Sequence, residues 1–179
     1  MTRHCTMLYV SCGETQNIVR FAMDIPSGVL RKAGDTLLPG APVQEIGATA
    51  KPAPNLRSNG APLTIGRHGT VLYVAARTDP PHALSYRIAE EDGSLTLIGD
   101  APIPVGTPYI ATDRSGHFLL GAAYHANNVW VSRIGADAHA PAPPATRDCR
   151  MGGVRQGVGF CARTSARGVT GADDAVIRD

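Results

Sequence analysis

Short, mostly apolar runs of strand length, each set beside a glycine-containing turn, give the chain its rhythm. Residues 69–76 read GTVLYVAA and return 47 positions later, at 116–123, as GHFLLGAA; residues 6–12, TMLYVSC, have the same shape. Downstream, LSYRI at 84–88 matches WVSRI at 130–134, and SGVL at 27–30 matches DGSL at 92–95. Strand-length runs bounded by Gly, Asp and Ser predict β-strands joined by tight turns.

In the third copy the pattern places an inner strand at 108–112, a hairpin turn at 113–116 with Gly116 at the position that favours positive φ, and strands at 117–124 and 129–134. The second copy gives strands at 63–65, 70–76, 83–89 and 95–98, with turns at 66–69 and 90–94. The first begins directly at Met7–Cys12, with no inner strand before it. Four short strands repeating every 40–50 residues are the mark of a β-propeller, whose blades bury their faces against one another. The fold class expected is all-β: a partial propeller of about three four-stranded blades (about 7–47, 61–105 and 106–140), followed by an irregular tail. Residues 41–59, with Pro42, Pro52 and Pro54, read as a long surface connection.

Composition agrees with many strands and turns: Gly and Pro number 20 and 14, and aromatic residues make up 5%. Lys and Arg total 17 against 15 Asp and Glu; the six Arg and four Asp after residue 140 carry the whole excess, which leaves 11 of each sign before it. A neutral repeat region argues against a nucleic-acid partner. Cys5, Cys12, Cys149 and Cys161 lack CxxC spacing, which favours reduced thiols over zinc or a disulfide framework. Without a long apolar run or a signal-type segment the chain is expected to be cytoplasmic, with no membrane partner. Beyond residue 140 the character changes: Pro141, Pro143 and Pro144 are followed by scattered Gly, no Lys and no Leu. Residues 141–179 read as a disordered basic tail or as out-of-frame translation of GC-rich coding sequence.

Residues 72–99, LYVAARTDPPHALSYRIAEEDGSLTLIG, and 109–138, YIATDRSGHFLLGAAYHANNVWVSRIGADA, resemble the second and third blades of the seven-bladed propeller lactonases. That family contains bacterial propeller-type 6-phosphogluconolactonases and the related carboxymuconate-lactonizing enzymes. The resemblance implies a carboxylic-ester (lactone) hydrolase that converts 6-phosphogluconolactone to 6-phosphogluconate in the pentose phosphate pathway, acting on a small sugar lactone without a metal or organic cofactor. It covers 7–38 and 61–138, so the chain is expected to be a truncated and inactive member, open to self-association or aggregation through its blade edges. A non-catalytic binding platform and a non-functional remnant are the alternatives, because fold alone does not fix function.

Lactone hydrolysis requires a base for the attacking water, a donor for the oxyanion, and, for a phosphorylated substrate, an anion contact for which Arg is suited. The loops that enter each inner strand and those that join second to third strands lie on one face of a propeller. On that face the sequence offers Glu14, Arg77, Asp79, His82, Tyr124, His125, Asn127 and Asn128. Arg77 is expected to contact an anion and His125, Tyr124 and Asn127 to supply polar substrate contacts; the catalytic residues themselves are expected in other blades. The plainer reading pairs Arg77 with Asp79 in a solvated loop and makes His125 an ordinary exposed turn residue.

The family's machinery is expected to include a Gly-Pro-Arg-His type segment, and Ile65-Gly66-Arg67-His68 has a superficial likeness to it. Those residues occupy the hairpin position of Thr112-Asp113-Arg114-Ser115, at the opposite face, where a base cannot reach the water it would activate. Cys12 reads as a small buried residue and not as a nucleophile. His4, His117 and His139 form no ligand spacing, so no metal site is expected.

Overall fold

A computed structural model describes residues 6–40 and 60–135 and the backbone of a strand at 145–148. The connection expected at 41–59 lies outside the described residues. Three antiparallel sheets follow one another along the chain. The first holds β1 (Thr6–Cys12), β2 (Asn17–Met23) and β3 (Leu30–Leu37) in that order. The second holds β4 (Leu63–Ile65), β5 (Val71–Ala76), β6 (His82–Ile88) and β7 (Leu95–Pro102). The third holds β8 (Tyr109–Thr112), β9 (Phe118–Ala123), β10 (Asn128–Arg133) and β11 (Ala145–Asp148). Among the described residues there is no α-helix, and the all-β, partial-propeller architecture is the one that the repeat implies.

The turns form where the residue types require them. Gly28, Gly69, Gly93 and Gly116 all have φ near +70°, a region closed to most side chains. In the third sheet Asp113 fixes its hairpin by accepting bonds from the backbone N–H groups of Ser115 (3.0 Å) and Phe118 (2.8 Å). Burial holds its carboxyl up, but the Ser115 hydroxyl and the backbone donors outweigh this and bring it below the usual carboxylate range.

Packing explains why β5 is apolar at every position. All six of its residues are buried. Leu72, Val74 and Ala76 join Ile18, Leu38, Leu84 and Tyr86 in a core shared with the first blade, whereas Val71, Tyr73 and Ala75 join Ala83, Ile103, Leu119 and Trp130 in a core shared with the third. Successive residues of a strand face opposite sides of the sheet, so one strand serves two cores. Each fully buried Leu or Val contributes about 1.5–3 kcal/mol relative to exposure. At the end opposite the candidate site face, the blades are also clasped by polar contacts: Tyr9 donates to the Gly93 carbonyl (2.7 Å), Arg20 approaches Asp92 (3.6 Å), and Arg67 donates to the Ser115 carbonyl (3.2 Å).

Two features depart from the sequence expectation. β7 continues to Pro102 because its register shifts opposite Ser85 and Tyr86: Ser85 pairs with Gly99 but Tyr86 with Leu97, leaving Ile98 as the extra residue of a bulge. The second departure is a strand within the segment read as strandless from 141 onward. Ala145–Asp148 pairs with β10, Val131 opposite Ala145 and Asn128 opposite Asp148, and completes the third blade as its fourth strand. The prolines end at Pro144, just before the strand, so no ladder N–H is lost.

Candidate functional site

The loops from β1 to β2, from β5 to β6 and from β9 to β10 stand at one end of their blades, the face chosen on sequence grounds. In the first and third blades the loop has four residues, 13–16 and 124–127, since Cys12 pairs directly with Asn17 and Ala123 with Asn128. Both loops close on a left-handed residue, Gln16 (φ 50°) and Asn127 (φ 49°). The second blade differs. Ala76 pairs with His82 across five residues, 77–81, and the Asp79–Pro80 peptide bond is cis.

Tyr124, His125 and Ala126 form a single 3-10 turn, and the Asn127 N–H bonds back to the Tyr124 carbonyl. The Tyr124 and His125 rings meet edge to face at 5.6 Å between centroids, and both residues are exposed. Tyr124 is 75% accessible. The turn therefore presents an aromatic ring, an imidazole and the Asn127 amide together toward solvent.

Arg77 follows the last residue of β5. Its side-chain Nε is buried and has no hydrogen-bond partner, and among the described residues it forms no ion pair with Asp79. A half-buried guanidinium without a carboxylate partner favours an anion at its terminal nitrogens. No hydrogen bond or ion pair among the described residues joins Arg77 to the Tyr124–Asn127 turn; what they share is a face.

A third element of the face was not singled out as a pair by sequence reasoning. His82 Nδ1 bonds the Asp100 carboxylate, joining the start of β6 to β7. The partners are 18 residues apart on adjacent strands, and only the β6–β7 register brings them together. They border a cleft of about 200 Å³ with Pro39, Gly40, Ala76, Thr78, Asp79, Pro80 and Leu84. Thr78 donates to the Pro80 carbonyl (2.6 Å) and so steadies the loop. Beneath it, burial and then the Asp100 charge push the Tyr86 phenol up to about 12, so it is neutral throughout the physiological range.

His68 lies in the turn after β4 at the other end of the blade and is exposed, as its place in the repeat implies. Cys12 ends β1 half-buried, with a free thiol. No group of three or more His, Cys, Asp or Glu among the described residues is arranged to hold a metal ion.

The chain is 37% identical over 73 residues to the 6-phosphogluconolactonase of an Enterobacter strain and 38% identical over 73 residues to that of Cronobacter sakazakii. These matches take in 41% of this chain and 22% of each relative, so the chain spans about a fifth of the relatives it matches. The fold superposes on the periplasmic gluconolactonase of Pseudomonas aeruginosa with a TM-score of 0.61 at 18% identity, over 79% of this chain and 36% of that one. A family model, the lactonase with a seven-bladed β-propeller, matches residues 49–156, a span that includes β4 to β11. With more than half of its residues inside that match, the chain belongs to the seven-bladed β-propeller lactonase family.

Proposed function

We propose that these three blades form part of the substrate face of a 6-phosphogluconolactonase, which hydrolyses the lactone to 6-phosphogluconate, and that Arg77 grips the phosphate. The observation that carries the reading is the place of Arg77, directly after β5 on the loop face of a lactonase blade and without a carboxylate partner among the described residues. Its planar fork suits phosphate oxygens, and partial burial strengthens the contact. Tyr124, His125 and Asn127 lie on the same face and would meet the sugar hydroxyls. The base that activates water and the oxyanion donors belong, in this reading, to other blades of the ring. The relatives' shared name supports the substrate class.

The test places Arg77→Ala in a seven-bladed protein containing this segment and compares phosphorylated with unphosphorylated gluconolactone. Loss of a charge-assisted contact of about 1.5–3 kcal/mol should lower kcat/KM for the phosphorylated lactone roughly 10- to 150-fold and leave the other nearly unchanged. Equal losses on both substrates would return Arg77 to the solvated-loop reading.

A further inference from the structure

The cleft between the first two blades has chemistry distinct from that around Arg77, which does not line it. We propose that it is a second binding position on this face, selective for a neutral, hydroxyl-rich ring of about the size of one monosaccharide. The inference goes beyond the lactonase reading and does not depend on it.

Three observations point the same way. The His82–Asp100 bond fixes the imidazole: in the neutral tautomer that gives its Nδ1 proton to the carboxylate, Nε2 carries the lone pair and accepts a hydrogen bond. The other groups on the rim are also acceptors, the Asp79 and Asp100 carboxylates, while the Thr78 hydroxyl proton is already given to the Pro80 carbonyl. A lining of acceptors calls for a ligand that brings donors, as sugar hydroxyls do. Two carboxylates with no Arg or Lys among the lining residues disfavour a phosphate or a carboxylate. Pro39 and Pro80, both exposed, offer apolar surface to the C–H face of a ring, and a volume of about 200 Å³ admits one ring but not a chain of them.

The position is testable on the whole chain by titrating methyl glucoside, a neutral ring that cannot open, while following the His imidazole resonances by NMR. The expected result is a saturable shift of His82 with His68 and His125 unmoved, and about tenfold weaker binding in Asp100→Asn, where the orienting bond loses its charge. Absence of a saturable His82 shift in the parent chain would overturn the proposal. Tighter binding of 6-phosphogluconate than of methyl glucoside at His82 would overturn it equally, since that would make the cleft an anion site.

Discussion

Gly121 and Trp130 face each other directly across the β9–β10 ladder, and a Cβ on Gly121 would lie far inside van der Waals contact with the indole Cε2. Trp130 is fully buried and belongs to the core between the second and third blades. The glycine is therefore a packing requirement, not a turn residue: its bare Cα is the floor on which the indole lies.

Trp130→Ala should lower stability by about 3–5 kcal/mol, as expected for removal of a large buried aromatic. Gly121→Ala should cost about 1–3 kcal/mol or more by driving the indole from its place. Urea denaturation followed by circular dichroism measures both. A neutral Gly121→Ala would mean that the indole has another position of equal energy.

The clasp between the first two blades can be weighed against that core. Tyr9→Phe removes the bond to the Gly93 carbonyl and should cost about 0.5–1.5 kcal/mol. Asp92→Asn should be nearly silent, since Asp92 is largely exposed and lies 3.6 Å from Arg20. A larger effect for Asp92 than for Tyr9 would show that charge, not the directed hydrogen bond, holds the blades at this end.

Acid should loosen the third blade's hairpin through Asp113. Its folded carboxyl titrates below the unfolded range, so its contribution is complete above about pH 4 and falls away as pH drops through the depressed folded value. Asp113→Asn should flatten that part of the stability–pH curve, read from thermal melts between roughly pH 2 and 5. An unchanged slope would remove Asp113 from the account.

The 179-residue polypeptide alone should not accelerate hydrolysis of freshly made 6-phosphogluconolactone beyond its spontaneous rate. A catalytic centre needs oriented base and oxyanion groups, worth several kcal/mol each, and this chain spans 22% of its curated relatives. Turnover of about 1 per second or faster would place the whole machinery within these residues.

The same polypeptide should self-associate. Among the described residues β1 pairs on one side only, and Leu8 and Val10 on that strand are 43% and 39% accessible. Unpaired edges beside apolar side chains recruit further strands. Light scattering should report oligomers that diminish in Leu8→Lys; a monodisperse monomer would contradict the prediction.

Much of this fold was legible because each blade repeats a local rule: a short strand-length run, then a turn closed by glycine with positive φ at positions such as 69, 93 and 116. What stayed hidden depends on register. The Ile98 bulge reverses the in–out alternation within β7, so the period breaks just where the strand continues toward Asp100. The His82–Asp100 pair exists only in that shifted register, and nothing in a list of polar residues joins position 82 to position 100. β11 was obscured by its neighbourhood: four residues between a proline run and a Leu-free segment are too few to establish a period, and its place follows from β10 having an edge to fill. Arg77 was found from its residue type and loop, whereas its buried Nε became visible only once β5 and its surroundings were in place.

The two-sided burial of β5 makes that strand a divided reporter. Substitutions at Leu72 or Val74 weaken the seam to the first blade, and those at Val71 or Tyr73 weaken the seam to the third, although neighbouring positions share one backbone. Hydrogen exchange on β2 and on β9 should respond to opposite halves of this alternation, as in a short linear array whose end units communicate only through the middle one. A six-residue stretch thus allows the opening of either outer blade to be tuned without touching a residue of that blade.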